Sequence, residues 1–356
     1  MHVSSISAWN FRSFDELIVS FPKGFIQLLG PNGSGKTNIL EAIYYSLTCK
    51  SFRSRHDQDL ISFNKDYFRL ETEYTKDGLK KKIKVSFQKD KSRSVQLNEK
   101  EYAKSSQLFF ETNVVVFTPS SSYLIKGEPN TRRHFLDRIK LKINPEFSLI
   151  MSKYKQTLQA RNSLLKNITS STMDHQMYSI LTDELIRYSK LIQSERRSML
   201  NLFNAQLKQI LLECPLSGVE TLEWLYEPFS NFSNSLRDLL NIESRRGISL
   251  IGSHLDQLEV LFNSHLAKDY ASEGETKIMT IFTKLCEFQT LEKYTKVTPV
   301  LLMDDLSSEL DLNNLGKVLS FTINKTQVFV SSLNELPIKS DLSLSLDKSI
   351  QKLCCI

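Results

Sequence analysis

The chain has 356 residues, 40% hydrophobic and 24% charged, a balance that excludes a fibrous or wholly disordered protein and fits two compact units or one core with an insertion. Lys and Arg number 46 against 40 Asp and Glu, and a net charge of +6 is too small by itself to name a partner. Its placement is uneven: residues 126–210 hold 15 basic and 7 acidic residues, so one quarter of the chain carries +8 and the rest is slightly acidic. Five cysteines without metal-type spacing, no signal-peptide pattern and no apolar run of the ~18–20 residues a membrane span needs lead to the expectation of a reduced, cytoplasmic protein with no membrane partner.

Residues 1–30 alternate apolar and polar through Val3, Ile6, Leu17, Val19 and Phe21, and end in Phe25-Ile26-Gln27-Leu28-Leu29, a buried strand running into Gly30. After Asn38 the spacing of Ile39, Leu40, Ile43 and Leu47 is helical. Residues 66–100 alternate again and predict a β-meander that is rich in lysine, and Val114-Val115-Val116-Phe117 before Pro119 is another short strand. The patterns at 131–139, 146–166 and 174–212 are helical, the last ended by Pro215. From about Gly247 short apolar strands return, among them Pro299-Val300-Leu301-Leu302-Met303 and Thr326-Gln327-Val328-Phe329-Val330. The layout is an α/β unit interrupted by a helical insertion over 126–245, so 1–125 and 246–356 form two halves of one core.

Gly30-Pro31-Asn32-Gly33-Ser34-Gly35-Lys36-Thr37 fits G-x-x-x-x-G-K-[ST] between a strand and a helix, the phosphate-loop pattern. Its glycines let backbone N–H groups turn toward phosphate oxygens, Lys36 reaches the β- and γ-phosphates, and the Thr37 hydroxyl ligates Mg²⁺. Four apolar residues, 300–303, deliver Asp304 and Asp305 at a strand end, Asp304 for the magnesium shell and Asp305 for polarising water. Asp305 is one methylene shorter than a glutamate, which favours slow hydrolysis. Upstream, Ser272-Glu273-Gly274 opens a helix predicted over 278–288, and Ser308-Glu309-Leu310-Asp311 follows the acidic pair. A Ser-x-Gly turn at that place in a cassette ATPase binds the γ-phosphate of a nucleotide held on a second protomer, although the same pattern is also an ordinary helix cap.

Asn10-Phe11-Arg12-Ser13-Phe14, the run from Asn32 through Thr37 and Asn38 to Glu41-Ala42-Ile43, Ser51-Phe52-Arg53, Arg132-Arg133-His134-Phe135-Leu136-Asp137, Arg161-Asn162-Ser163-Leu164-Leu165-Lys166 and the segment 304–311 resemble the SMC-like cassette ATPases, and among them the RecF family of bacterial recombination and repair proteins. The resemblance runs from residue 1 to about 332. It implies an ABC-type, SMC-like P-loop ATPase head with an inserted helical lobe, ATP and Mg²⁺ as ligands, an ATP-dependent homodimer and weak ATPase activity. By it, Ser272 and Gly274 act in trans, and Ser308 and Asp311 belong to the loop after the acidic pair. It also implies DNA as partner, gapped or at a single-strand/double-strand junction, with RecO, RecR, RecA and SSB in recombinase loading, fork maintenance and the SOS response. The chain departs from the family at Glu273, Glu275 and Lys277, where the family is Gln-rich and Arg-terminated, and at 252–257, which lacks the family's Arg beside His254.

Candidate DNA contacts are Lys81 and Lys82 on a hairpin rim and Arg132, Arg133, Lys153, Lys155 and Arg161 in the insertion. The competing reading places them on solvated helix faces or, for Arg132 and Arg133, in an ion-pair cluster with Asp137. A transporter-type cassette, the alternative of another class, would carry a switch His where this chain has Ser331-Ser332, and a DNA-binding scaffold with a vestigial nucleotide site is a third possibility.

Overall fold

The alternating residues at the start form β1 (His2–Phe11) and β2 (Phe14–Ser20), an antiparallel pair, followed by β3 (Phe25–Leu29) and α1 (Lys36–Thr48). Then come β4 (Tyr67–Lys76), β5 (Leu79–Gln88), β6 (Ser94–Leu97), β7 (Lys100–Glu101), α2 (Ser106–Glu111) and β8 (Val114–Phe117). The middle of the chain holds α3 (Tyr123–Lys126), α4 (Pro129–Ile143), α5 (Phe147–Lys166), α6 (His175–Glu213), β9 (Leu222–Glu227), α7 (Leu236–Arg246), β10 (Gln257–Phe262), β11 (His265–Leu266), α8 (Ala267–Tyr270) and α9 (Glu273–Thr295). It ends with β12 (Val300–Met303), α10 (Leu312–Ile323), β13 (Val328–Ser332), β14 (Leu342–Ser345) and β15 (Lys352–Cys355). This computed structural model describes residues 1–102, 106–166, 175–231, 236–305, 310–347 and 352–355.

Two compact units result, one of Met1–Ser121, Ile210–Gly218 and Thr280–Ile356, the other of Ser122–Gln209 and Val219–Met279. The first contains a seven-stranded sheet in the order β15-β2-β1-β4-β5-β6-β7 and a five-stranded parallel sheet in the order β14-β3-β13-β12-β8. Strands covered on both faces read as unbroken apolar runs, which is why Val114–Phe117 and Val300–Met303 show no alternation. Helix α1 supplies Ile39, Leu40, Ile43 and Leu47 to one hydrophobic cluster that also takes Leu17 and Phe68 from the larger sheet and Val300, Leu302 and Phe329 from the parallel one. That packing fixes the N-terminus of α1 beside the strand ends that carry the acidic pair.

Helix α6 runs unbroken for 39 residues, all but its last turn in the second unit. Phe135, Phe203 and Trp224 pack ring to ring, and Phe147, Tyr154, Leu185, Ile192 and Ile251 form a separate apolar cluster. The expected insertion, 126–245, is shorter than this unit, which continues to Met279 and includes the β9, β10 and β11 sheet. Polar contacts account for the extension. Arg196 of α6 donates to Ser253 O (2.6 Å) and to Asp256 Oδ2 (2.7 Å), and Gln193 donates to Asp256 Oδ1 (2.9 Å), so the segment before β10 is tied to the long helix. Among the described residues no helix is long and apolar enough to cross a membrane.

Candidate functional site

The loop between β3 and α1 turns where glycine is required. Gly35 has φ +99°, and a Cβ there would lie 2.7 Å from Phe14 Cζ; Gly30 has φ +144°, and its Cβ would lie 2.2 Å from Leu346 O. With Gly35 at the cap position no side chain caps α1, so the first N–H groups of the helix are left for an external acceptor. Lys36 folds back over the loop, its Nζ donating to Gly30 O (2.6 Å) and Pro31 O (3.0 Å). Burial pushes its pKa down, against the pull of Asp305 and Asp304. Ser34 Oγ is buried without a hydrogen-bond partner among the described residues, as expected of a hydroxyl whose acceptor is a ligand.

The acidic pair meets this loop from the end of β12. Thr37 Oγ1 donates to Asp304 Oδ1 (2.8 Å), Ser331 Oγ at the end of β13 donates to the same oxygen (2.9 Å), and Asp305 N donates to Ser331 Oγ (2.8 Å). Burial pushes the Asp304 carboxyl above the ordinary aspartate range, opposed by the Thr37 and Ser331 hydroxyls and reinforced by Asp305. The pocket between them, about 250 Å³, is lined by Asn32, Lys36, Thr37, Arg53, Asp305 and Ser331 among others. Its donors suit a polyphosphate, and Thr37 and Asp304 are the hard oxygen ligands that Mg²⁺ takes, so the residues present fit both groups.

Residues 2–343 match the RecF/RecN/SMC N-terminal domain family. The chain is 31% identical over 348 residues to the DNA replication and repair protein RecF of Lactobacillus gasseri, covering 93% of this chain and 92% of that one. It is 32% identical over 346 residues to the RecF of Bacillus cytotoxicus, with the same coverage. The chain belongs to the RecF family. It is thus a DNA repair and recombination protein built on an SMC-like, ABC-type ATPase fold. A solved structure of the recombination mediator RecF with ATP, from the RecFOR pathway, superposes with a TM-score of 0.89 at 25% identity over 98% of this chain and 96% of that one. The Smc head of Pyrococcus furiosus shares the fold at TM-score 0.53 and 18% identity, covering 94% of this chain and 90% of that one.

Two features of this RecF-family site lay outside the expected site residues. Ser331 clamps Asp304 from the neighbouring parallel strand, and the signal for it was a hydroxyl at the end of the strand next to the acidic one. The second is the fully buried Glu41 of α1. Its carboxylate accepts from Arg12 Nε and Nη2, both at 2.8 Å, and from Ser51 Oγ, which ties the Arg12 turn and the 51–54 loop to the phosphate-loop helix. Arg53 follows in that loop, donates to Asn38 Oδ1 (3.0 Å) and lines the nucleotide pocket.

Ser272 and Gly274 lie at the exposed start of α9, in the second unit. Ser272 N and Oγ both donate to Glu275 Oε2 (2.8 and 2.7 Å), and Glu275 N donates back to Ser272 Oγ (3.3 Å), a capping box. A Cβ at Gly274 would meet nothing within 4 Å, so the fold itself does not require glycine there. Ser308 lies outside the described residues. Asp311 caps α10, accepting from Asn314 N (2.9 Å) and Asn314 Nδ2 (2.7 Å).

The DNA candidates divide sharply. Arg161 has no exposed surface: its guanidinium donates to both Glu243 oxygens (3.0 and 2.7 Å), Tyr178 Oη, Ser249 Oγ and Thr182 Oγ1, so it is an interior ion pair and not a DNA contact. Arg132 is also interior, spending its donors on the carbonyls of Leu258, Ile125 and Gly127, and Arg133 is half-buried against Asp256 O. Among the described residues neither forms a salt bridge with Asp137, which Arg196 contacts at 2.8 Å. Lys81 is matched by Glu111 of α2 and Lys82 by Glu71 of β4, each at 2.8 Å, the second because the β4–β5 register sets Glu73 opposite Lys82 and Glu71 opposite Lys84. Lys153 and Lys155 stand exposed on α5.

Proposed function

We propose that this chain is an ATP-driven DNA-binding switch that helps load recombinase onto gapped, SSB-coated DNA. The observation that carries the reading is the uncapped N-terminus of α1 set against the Thr37, Asp304 and Ser331 cluster, a phosphate site and a magnesium site in one pocket. Thr37 and Asp304 would hold Mg²⁺, which supplies charge neutralisation on the phosphates, and Lys36 would exchange the loop carbonyls it now contacts for phosphate oxygens. Asp305 would orient the attacking water, its short side chain keeping hydrolysis slow.

Ser272 and the open approach over Gly274 would close on the γ-phosphate of a nucleotide held by a second copy, making ATP the cement of a homodimer. Family membership supports DNA as the macromolecular partner, RecO and RecR as co-mediators, and RecA and SSB as the proteins exchanged on the DNA. The test is sedimentation of wild type and Lys36→Ala with and without ATP, alongside retention on gapped DNA. Wild type should gain mass and DNA affinity with ATP, and Lys36→Ala should do neither. ATP that changes neither property of the wild type overturns the switch.

A further inference from the structure

Once Arg132 and Arg161 are interior and Lys81 and Lys82 are neutralised, another basic surface of the first unit stands out. Beyond the C-terminal end of α1 lies a cavity of about 700 Å³, against about 250 Å³ for the nucleotide pocket, with Lys50, Ser54, Arg55, His56, Phe87 and Arg93 in its wall. Three Lys and Arg residues, Lys50, Arg55 and Arg93, line it against one acidic residue, Asp57.

Arg93 is fixed as the floor: its Nη1 donates to Cys49 O (2.8 Å), Tyr45 Oη (3.0 Å) and Asp57 Oδ2 (3.1 Å). That contact neutralises Asp57, the acidic group of this wall, and leaves the exposed Lys50 and Arg55 facing solvent without an ion pair among the described residues. Lys89 and Lys91, both exposed, stand on the β5–β6 turn between the lining residues Phe87 and Arg93, with Asp90 between them.

We infer that this cavity and its rim bind the phosphodiester backbone of DNA. Exposed, flexible cations spread along a strip, with an aromatic wall at Phe87, fit a repeating polyanion better than one caged phosphate, which would be met by buried, converging donors. The inference rests on the DNA-binding reading above and adds where on the first unit the strand lies.

The experiment is the affinity of the full chain, with ATP, for a labelled gapped duplex from about 50 to 300 mM salt, comparing wild type with the double variant Lys50→Gln/Arg55→Gln. Losing two phosphate contacts should make the slope of log affinity against log salt shallower by roughly 1.4–1.8 and weaken binding roughly 25- to 60-fold at 0.1 M salt. The melting temperature should be unchanged because both side chains are exposed; if the pair fails to fold, each single variant should show about half the slope change. Unaltered slope and affinity in a folded variant overturn the inference. So does a slope change that appears only in Lys153→Gln/Lys155→Gln, or a loss confined to inorganic tripolyphosphate with DNA affinity intact. A wild type that binds no DNA at any salt overturns the DNA-binding reading itself and this inference with it.

Discussion

Two helix N-termini in this protein carry a glycine and a hydroxyl residue, and they are built in opposite ways. At α1 the cap position is Gly35, no side chain caps the first turn, and the buried Ser34 hydroxyl has no hydrogen-bond partner among the described residues. At α9 the cap is Ser272, and both its N–H and its hydroxyl are already given to the carboxylate of Glu275. The first terminus keeps its donors open to an outside anion; the second already contains one. A helix start therefore reports on function through what has been done with its donors, not through the residue types alone.

The largest effect should come from closing the open terminus. Gly35→Ala places a methyl group against Phe14 and asks a non-glycine residue to hold φ +99°. Such a backbone costs ~1–3 kcal/mol, so ATP affinity measured by titration of a fluorescent analogue should fall about 5- to 150-fold. Unchanged affinity would mean that the loop does not need this conformation to bind phosphate. A smaller effect, on stability alone, is expected at the capped terminus. Ser272→Ala removes an N-cap and should cost ~1 kcal/mol in denaturant unfolding while leaving ATP binding to a single chain as it was. A drop in single-chain ATP affinity would place Ser272 in its own chain's pocket and contradict its role toward a second copy.

The nucleotide loop was legible because eight contiguous residues specify it, and β3, β8 and β12 were legible because strands buried on both faces read as apolar runs. What sequence could not supply was the partner of each charge. Arg161 sits in a basic helical stretch, yet its carboxylate is Glu243 of α7, far along the chain, and only the fold brings the two together. Lys82 belongs to a lysine run, yet hairpin register puts acids of β4 beside it. The +8 of residues 126–210 is accordingly a poor guide to the surface, since it counts Arg132, Arg161 and Arg196, all interior. The second unit runs past residue 245 for the same reason: Asp256 is held by Arg196 and Gln193, contacts no local pattern announces.

The finest test separates the cap from its charge. Glu275→Gln keeps the acceptor oxygen, and glutamine serves in a capping box as glutamate does, so the fold of α9 should hold. What it removes is a negative charge from the turn proposed above to meet the γ-phosphate of a second copy, so ATP-dependent self-association, followed by sedimentation, should tighten about two- to fivefold. ADP should give no such gain, because it lacks the group the carboxylate repels. Acid should reproduce the effect only below the ordinary glutamate range, since the hydroxyl and N–H of Ser272 hold the Glu275 carboxyl below that range. If Glu275→Gln leaves association with ATP unchanged while Glu275→Ala lowers stability, the carboxylate is only a cap, and the two termini differ in their stability and not in their readiness for phosphate.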